Sequence, residues 1–341
     1  METDFRDAPP LVSVICLCYR QAAFVRQALE SVVCQSYPHW ELLIVDDASL
    51  DESGAVIQQF ISEIPAYLAA FRPPRPLPRI LFWQNTENQG NCRSFNQALA
   101  EARGKYVIDL AADDVLSDHR LASQVAFFER LPAEYGVIFA NALLINAEGR
   151  VRGHHYRVNA EGRALQPPPE GDVYAALLRR YFISTPTMMM RKSVLEVLGG
   201  YDESLSYEDF DFWIRSARHF RYAYQDEVNT QKRILPYSHS QQFYQKKHNP
   251  HLHSTLRVCH KAKQLNQSPQ EDKALAQCVA YHLRQGFYMQ DFDLVEAYYQ
   301  LLATLVRPGF WARLIRRLAR LRLPLYGAYR MYLRLKKAAE R

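Results

Sequence analysis

The sequence predicts an α/β unit, a Rossmann-like, mostly parallel sheet with helices on both faces, followed by a helical C-terminal extension. Short apolar, β-branched runs alternate with amphipathic segments through the first part of the chain, and no alternation continues beyond Asn249. The composition agrees: 48% hydrophobic and 23% charged residues over 341 positions suit a chain that buries a core and exclude wholesale disorder. The organisation expected is an α/β domain over 1–245, a helical extension over 246–306 and a basic amphipathic tail over 307–341.

The elements follow in order. LVSVICLC (11–18) reads as a strand buried on both faces, and 22–35 carries apolar residues at helical spacing. ELLIVDD (41–47) is a second buried strand ending in two acids, and a helix follows over 51–64. FRPPRPLP (71–78) is too rich in proline for a helix or a central strand. RILFWQN (79–85) reads as a strand, 91–104 as a helix closed by Gly104, and KYVIDL (105–110) as a strand. After a helix at 118–131, strands surround an Ala-Glu-Gly turn within 136–157, and a polar loop spans 160–171. A helix near 172–182, a strand at 187–191, a helix at 192–198 stopped by Gly199 and Gly200, and an acid-led amphipathic helix at 206–220 complete the domain.

Right-handed crossovers place the C-terminal ends of parallel strands along one edge, where such sheets bind ligands. The groups at those ends are 18–20, including Tyr19, then Asp46 and Asp47, 85–88, and Asp113 and Asp114. Two acid pairs at one sheet edge suit a divalent cation together with the hydroxyl and imide donors of a nucleotide.

Three stretches make the reading specific. VSVICLCYRQAAFVRQALESVVCQSYPHWELLIVDDASLDES (12–53), NQGNCRSFNQALAEARGKYVIDLAADD (88–114) and GGYDESLSYEDFDFWIR (199–215) occur in that order. Together they resemble the family 2 inverting glycosyltransferases of GT-A fold, of the bacterial surface-polysaccharide type, over roughly residues 11–240. The resemblance implies a metal-dependent transferase, of hexosyl class, acting on a nucleotide-sugar donor and a glycan or lipid-linked acceptor.

It also implies roles. Asp47 would face the imide of the base, with Asp46 and Asp51 supporting that pocket and Tyr19 beside it. Asn88, Gly90 and Arg93 would lie along the nucleotide, Asp113 at the ribose, and Asp114 on the divalent cation (Mn or Mg). Asp209 matches the family's catalytic base, with Glu208 as the neighbouring candidate. His239 falls where the family often has a histidine that meets the metal or diphosphate. Two positions depart from the pattern: Ala111 stands for the first acid of the metal motif and Arg20 for an asparagine. His154 and His155 read as a solvated loop pair.

The remaining signals concern location. No cysteine pair has metal-ligand spacing, and free buried thiols are expected. METDFRDAPP has neither the basic nor the apolar region of a secretory leader, and no run of about 18 apolar residues occurs. Net charge is +6, yet 307–341 alone carries eleven Lys/Arg against Glu340, leaving the rest mildly acidic. That asymmetry argues against nucleic-acid binding by the body of the protein. In the tail, Trp311, Leu314, Ile315, Leu318 and Leu321 recur at helical spacing with Arg313, Arg316, Arg317 and Arg320 between them. This pattern suits an anionic membrane surface or, alternatively, a helical pair packed on the rest of the chain with a solvated basic face. A cytoplasmic protein on the inner membrane face is expected, and with the resemblance this implies assembly of a lipid-linked surface polysaccharide.

Two rivals remain. A sugar nucleotidyltransferase would need a glycine-rich loop after the first strand, and CLCYRQAAF contains none; a dehydrogenase fingerprint is missing there too. A scaffold that kept the fold and lost the chemistry is conceivable through Ala111.

Overall fold

The computed structural model describes residues 9–235, 246–323, 326–327, 329 and 331. They form two compact units, the first from 9–173, 182–204 and 219–235, the second from 174–181, 205–218 and 246 onward. The helical unit therefore takes in two earlier stretches of chain, which a linear boundary near 245 does not anticipate.

The first unit is built on a mixed sheet of β1 (Val12–Cys18), β2 (Trp40–Asp46), β3 (Ile80–Gln84), β4 (Tyr106–Ala111), β5 (Val115–Leu116), β6 (Tyr135–Ile145), β7 (Val151–His154), β8 (Met189–Arg191) and β9 (Arg221–Arg233). Their order is β3-β2-β1-β4-β8-β6-β9-β5, with β7 on β6. β1 to β4 are mutually parallel, as the alternating pattern predicts, and β8 pairs antiparallel with β4 and β6. β1 is apolar at nearly every position because it lies between β2 and β4 under helices, so neither face meets water. The register sets Cys18 opposite Asp46, Leu17 opposite Ala111 and Gln84 opposite Asp46, which gathers the strand ends at one edge.

Its helices are α1 (Val25–Val33), α2 (Ser53–Ala69), α3 (Asn91–Glu101), α4 (Arg120–Phe128) and α6 (Lys192–Leu198). α1 buries Val25, Ala28, Leu29, Val32 and Val33, the i, i+3, i+4 face that its sequence shows. α2 runs through Pro65 to Ala69, beyond the stop expected at 64, and its last turn seats Leu68 in the core. α6 ends at Gly199 in the left-handed conformation, with the Gly200 N–H closing on the Leu195 carbonyl. β9 is the element the pattern hides. RYAYQDEVNTQKR is polar, but it pairs parallel with β6 along its length and buries Tyr222, Ala223 and Tyr224.

The second unit is helical: α5 (Tyr174–Arg179), α7 (Asp209–Ala217), α8 (Pro250–Leu265), α9 (Pro269–Tyr288), α10 (Phe292–Leu305) and α11 (Phe310–Arg320). Asn249, Ser268 and Asp291 cap α8, α9 and α10 with their side-chain oxygens, which is why each helix starts where it does. Asp211 of α7 is buried and ion-paired to Arg215 and to Lys261 of α8, both at 2.6 Å. None of the six cysteines is disulfide-bonded; five are buried as expected and Cys34 is exposed. Among the described residues no helix is long and apolar enough to cross a membrane.

Candidate active site

The edge where β1 and β2 end is closed by hydrogen bonds between their loops. Arg20 and Ala48 both take positive φ, at 54° and 60°. That strain is held by the Arg20 N–H on Ser49 Oγ (2.8 Å), the Gln21 N–H on Ser53 Oγ (2.9 Å) and the Ala22 N–H on Asp51 Oδ2 (3.2 Å). Asp51 thus ties the two loops together. Burial acts to raise its carboxyl, but the Ser53 hydroxyl and the Ala22 and Ser53 N–H groups outweigh that and hold it below the ordinary aspartate value. Tyr19, at the end of β1, stays partly exposed with the Arg20 guanidinium 5.1 Å from its ring centre.

Asp46 is fully buried and accepts from Gln84 Nε2 (3.2 Å) and the Ser49 N–H (3.3 Å). Asp47 reaches the next loop. Its Oδ1 accepts from Asn85 Nδ2 and the Gln89 N–H, both at 2.9 Å, and its Oδ2 accepts the Gly90 N–H at 2.8 Å. Both Asp47 oxygens therefore already carry hydrogen bonds, and its influence on a pocket at this edge passes through the 85–90 backbone. Asn88 Nδ2 donates to the Asp47 carbonyl at 3.4 Å. Gly90, the residue before α3, has φ 84° and ψ 162°, a conformation strained for any L side chain, and nothing crowds the place of a Cβ. Arg93, in the first turn of α3, is 59% exposed by side chain and lies 4.0 Å from Glu203. Asn96, not singled out from the sequence although it sits in the 88–114 motif, holds the loop after α6. It accepts the Tyr201 N–H (2.9 Å) and donates to the Tyr201 carbonyl (2.8 Å).

The second acid pair follows β4. Asp114 is 4% exposed and its Oδ1 accepts the Arg233 N–H at 2.8 Å; Asp113 keeps more exposed surface. Burial, with the adjoining Asp113 carboxylate, pushes Asp114 up to about 7. Arg120 is wholly buried nearby, bonded to Gln124, Thr230 and the Met188 carbonyl, and burial lowers it to about 9. Among the described residues no cluster of three or more His, Cys, Asp or Glu converges as a metal cage. Two adjacent carboxylates fit the kind of cation that takes one or two protein oxygens and completes its shell with substrate phosphates and water. Ala111, at the end of β4, adds no ligand.

Glu208 and Asp209 belong to the helical unit. Glu208 is the residue before α7 and Asp209 its first residue, and both are partly exposed. Negative charge is favoured there by the positive end of the helix dipole. Asp211, in the same turn, is committed to its two cations, Arg215 and Lys261. His239 lies outside the described residues. His154 ends β7, and His155 is half-buried rather than solvated, its Nε2 2.7 Å from the Phe182 carbonyl oxygen.

A family profile described as Glycosyl transferase family 2 matches residues 13–199. Among curated relatives, a Bacillus subtilis (strain 168) protein named as glycosyltransferase EpsE is 32% identical over 213 residues, covering 60% of this chain and 66% of that one. TuaG of the same organism, named for teichuronic acid biosynthesis, is 36% identical over 35% of this chain and 42% of its own. WcaA of Escherichia coli (strain K12), named for colanic acid biosynthesis, is 29% identical over 41% and 45%. The chain spans less than two thirds of the length of each of these. Among solved structures, S. aureus TarS 1-349 in complex with UDP-GlcNAc superposes with a TM-score of 0.67 at 17% identity, covering 94% of this chain and 91% of that one. The mannosyltransferase PcManGT of Pyrobaculum calidifontis, with GDP-Man and Mn2+, gives 0.55 at 16% identity over 96% and 84%. At these identities the structural likeness is one of fold, and that fold is the GT-A type.

Proposed function

The chain belongs to glycosyl transferase family 2, and from that premise we propose that it moves a sugar from a nucleotide-sugar donor to an acceptor hydroxyl with inversion at the anomeric carbon. The observation that carries this is the joined edge of β1, β2 and β4, where Asp46, Asp47 and Asp51 organise loops that end at Gly90 and the Asp113–Asp114 pair follows the end of β4. Donor binding by TarS and PcManGT supports the same reading.

In this proposal the base and ribose rest on the loops held by Asp46, Asp47 and Asp51, beside Tyr19. Asn88, Gly90 and Arg93 line the nucleotide, with Arg93 offering a charged donor to phosphate. Asp113 meets the ribose and Asp114, with Asp113 beside it, holds Mn or Mg; His239 is a further candidate ligand. The bound cation would neutralise charge on the departing diphosphate. Asp209 accepts the proton of the acceptor hydroxyl as that oxygen bonds to the anomeric carbon, and the sugar's bond to the diphosphate breaks on the opposite side. Glu208 stands next to it as the alternative base.

The names of TuaG and WcaA favour a surface-polysaccharide acceptor, glycan or lipid-linked. Attachment to the anionic inner face of the membrane through α11 fits the exposure of Phe310, Trp311, Arg313 and Arg317 on that helix. Turnover assays with UDP-, GDP- and dTDP-hexoses, with and without Mn2+, test the reading. Transfer or hydrolysis of one donor supports it, and inertness toward all of them favours a scaffold that has lost the chemistry.

A further inference from the structure

Arg233 is the last residue of β9, and it grips the acid pair from two directions. Its backbone N–H donates to Asp114 Oδ1 at 2.8 Å, and its side-chain Nε donates to the Asp113 carbonyl at 2.9 Å. One terminal nitrogen donates to the carbonyls of Asn146 (2.9 Å) and Ala147 (3.0 Å), in the turn between β6 and β7. The other donates to Gln27 Oε1 on α1 at 2.7 Å, and the guanidinium lies 4.6 Å from the ring centre of Phe24.

The residue is 4% exposed. A charge in that position is tolerated only when its donors are met, and the fork of a guanidinium meets four separate oxygens that a lysine ammonium could not span. Three pieces of chain, the turn after β4, the turn after β6 and the first helix, are fixed to one another by this side chain. The Asp113 peptide is held by its carbonyl and the Asp114 carboxylate by the β9 backbone, so the stretch of chain that carries both acids is fixed in place.

We propose that Arg233 is a positioning residue for the acid pair, fixing its geometry for a divalent cation and the donor diphosphate. This rests on the assignment of that pair to the cation. Two effects oppose each other: the guanidinium repels a cation, and the fixed geometry favours it. Outer partners that orient metal ligands typically contribute about 10–100-fold in affinity, and orientation is expected to dominate.

The test is calorimetric titration of Mn2+ into full-length protein in the presence of UDP or GDP, whichever the parent binds, with melting temperature measured alongside. Arg233→Met is expected to weaken Mn2+ by about 10–100-fold, with Arg233→Lys recovering part of the loss. Gln27→Ala removes one bond at an exposed position and is expected to weaken Mn2+ about 2–5-fold without a large change in melting. If Arg233→Met does not fold, Arg233→Lys and Gln27→Ala decide alone. Parent-like or tighter Mn2+ binding in the folded variants overturns the proposal, even if they melt earlier. A parent that binds nucleotide but no Mn2+ overturns the cation assignment itself, a different failure.

Discussion

The Gly90 amide donates to Asp47 Oδ2 at 2.8 Å, joining the end of β2 to the start of α3 across 43 positions of sequence. The strand-end acid thus acts on the loop as much as on anything the loop binds. Asp47→Ala removes the acceptor of the Gln89 and Gly90 amides and of the Asn85 side chain, three part-buried bonds worth about 0.5–1.5 kcal/mol each, more for a charged acceptor. Nucleotide affinity is expected to fall about tenfold or more, equally with and without Mn2+. Calorimetry with UDP and GDP reads this. Gly90→Ala, placing a side chain at φ 84°, should give the same loss from strain alone.

Asp114→Ala should behave differently. Its carboxylate is the partner of the Arg233 amide and the proposed metal ligand, so the metal-dependent part of donor binding is expected to vanish while the metal-free part survives. Nucleotide titrations with Mn2+ and with chelator separate the two. A variant that binds donor as the parent does and still responds to metal would remove Asp114 from that role.

Glu41 gives the fold a pH dependence at the opposite end of β2. Burial alone would raise its carboxyl, but the Ser13 hydroxyl, the Arg103 N–H and Arg79 outweigh it and hold it below the ordinary glutamate value. A lowered carboxyl stabilises the fold above the unfolded-state value, about 4.3, and that contribution is lost as pH falls through the folded one. Glu41→Gln should therefore cost about 1.5–3 kcal/mol near neutrality, and the gap to the parent should close in acid. Urea midpoints across pH measure it.

For the membrane surface, α11 divides its residues. Arg316 is ion-paired to Glu296 at 2.8 Å through Nε and lies over Tyr299, whereas Trp311 is 71% exposed. Replacing Trp311 with Ala and Arg313 and Arg317 with Glu should release the protein from anionic vesicles, since each basic residue contributes on the order of 1 kcal/mol there. Donor hydrolysis should be unchanged. Co-sedimentation at low and high salt is the readout, and undiminished binding by the folded variant would refute the attachment.

The parallel half of the sheet was legible because β1, β2 and β4 are mostly apolar runs, and each of the last two leads into an acid pair. What the sequence did not reveal are relationships between polar residues distant in the chain. β9 carries too few apolar positions to announce itself, and Arg233 meets Asp114 across 119 positions. Asp47 was legible as an acid at the end of a strand but not as the holder of the 85–90 loop, because that role depends on where the Gln89 and Gly90 amides come to rest. Asn96 was visible inside a quoted motif, yet only the folded chain brings Tyr201 to it. Ala111 shows the reverse case, a departure evident in sequence whose consequence, a pair rather than a trio of carboxylates at β4, the structure makes concrete.

The central claim, transfer assisted by a carboxylate base at the start of α7, is tested most directly by sugar transfer from saturating donor in Asp209→Asn. The account predicts a rate lower by about 10²–10⁴ with nucleotide affinity within a few fold of the parent. Turnover near that of the parent would contradict it and move the base to another residue, Glu208 first.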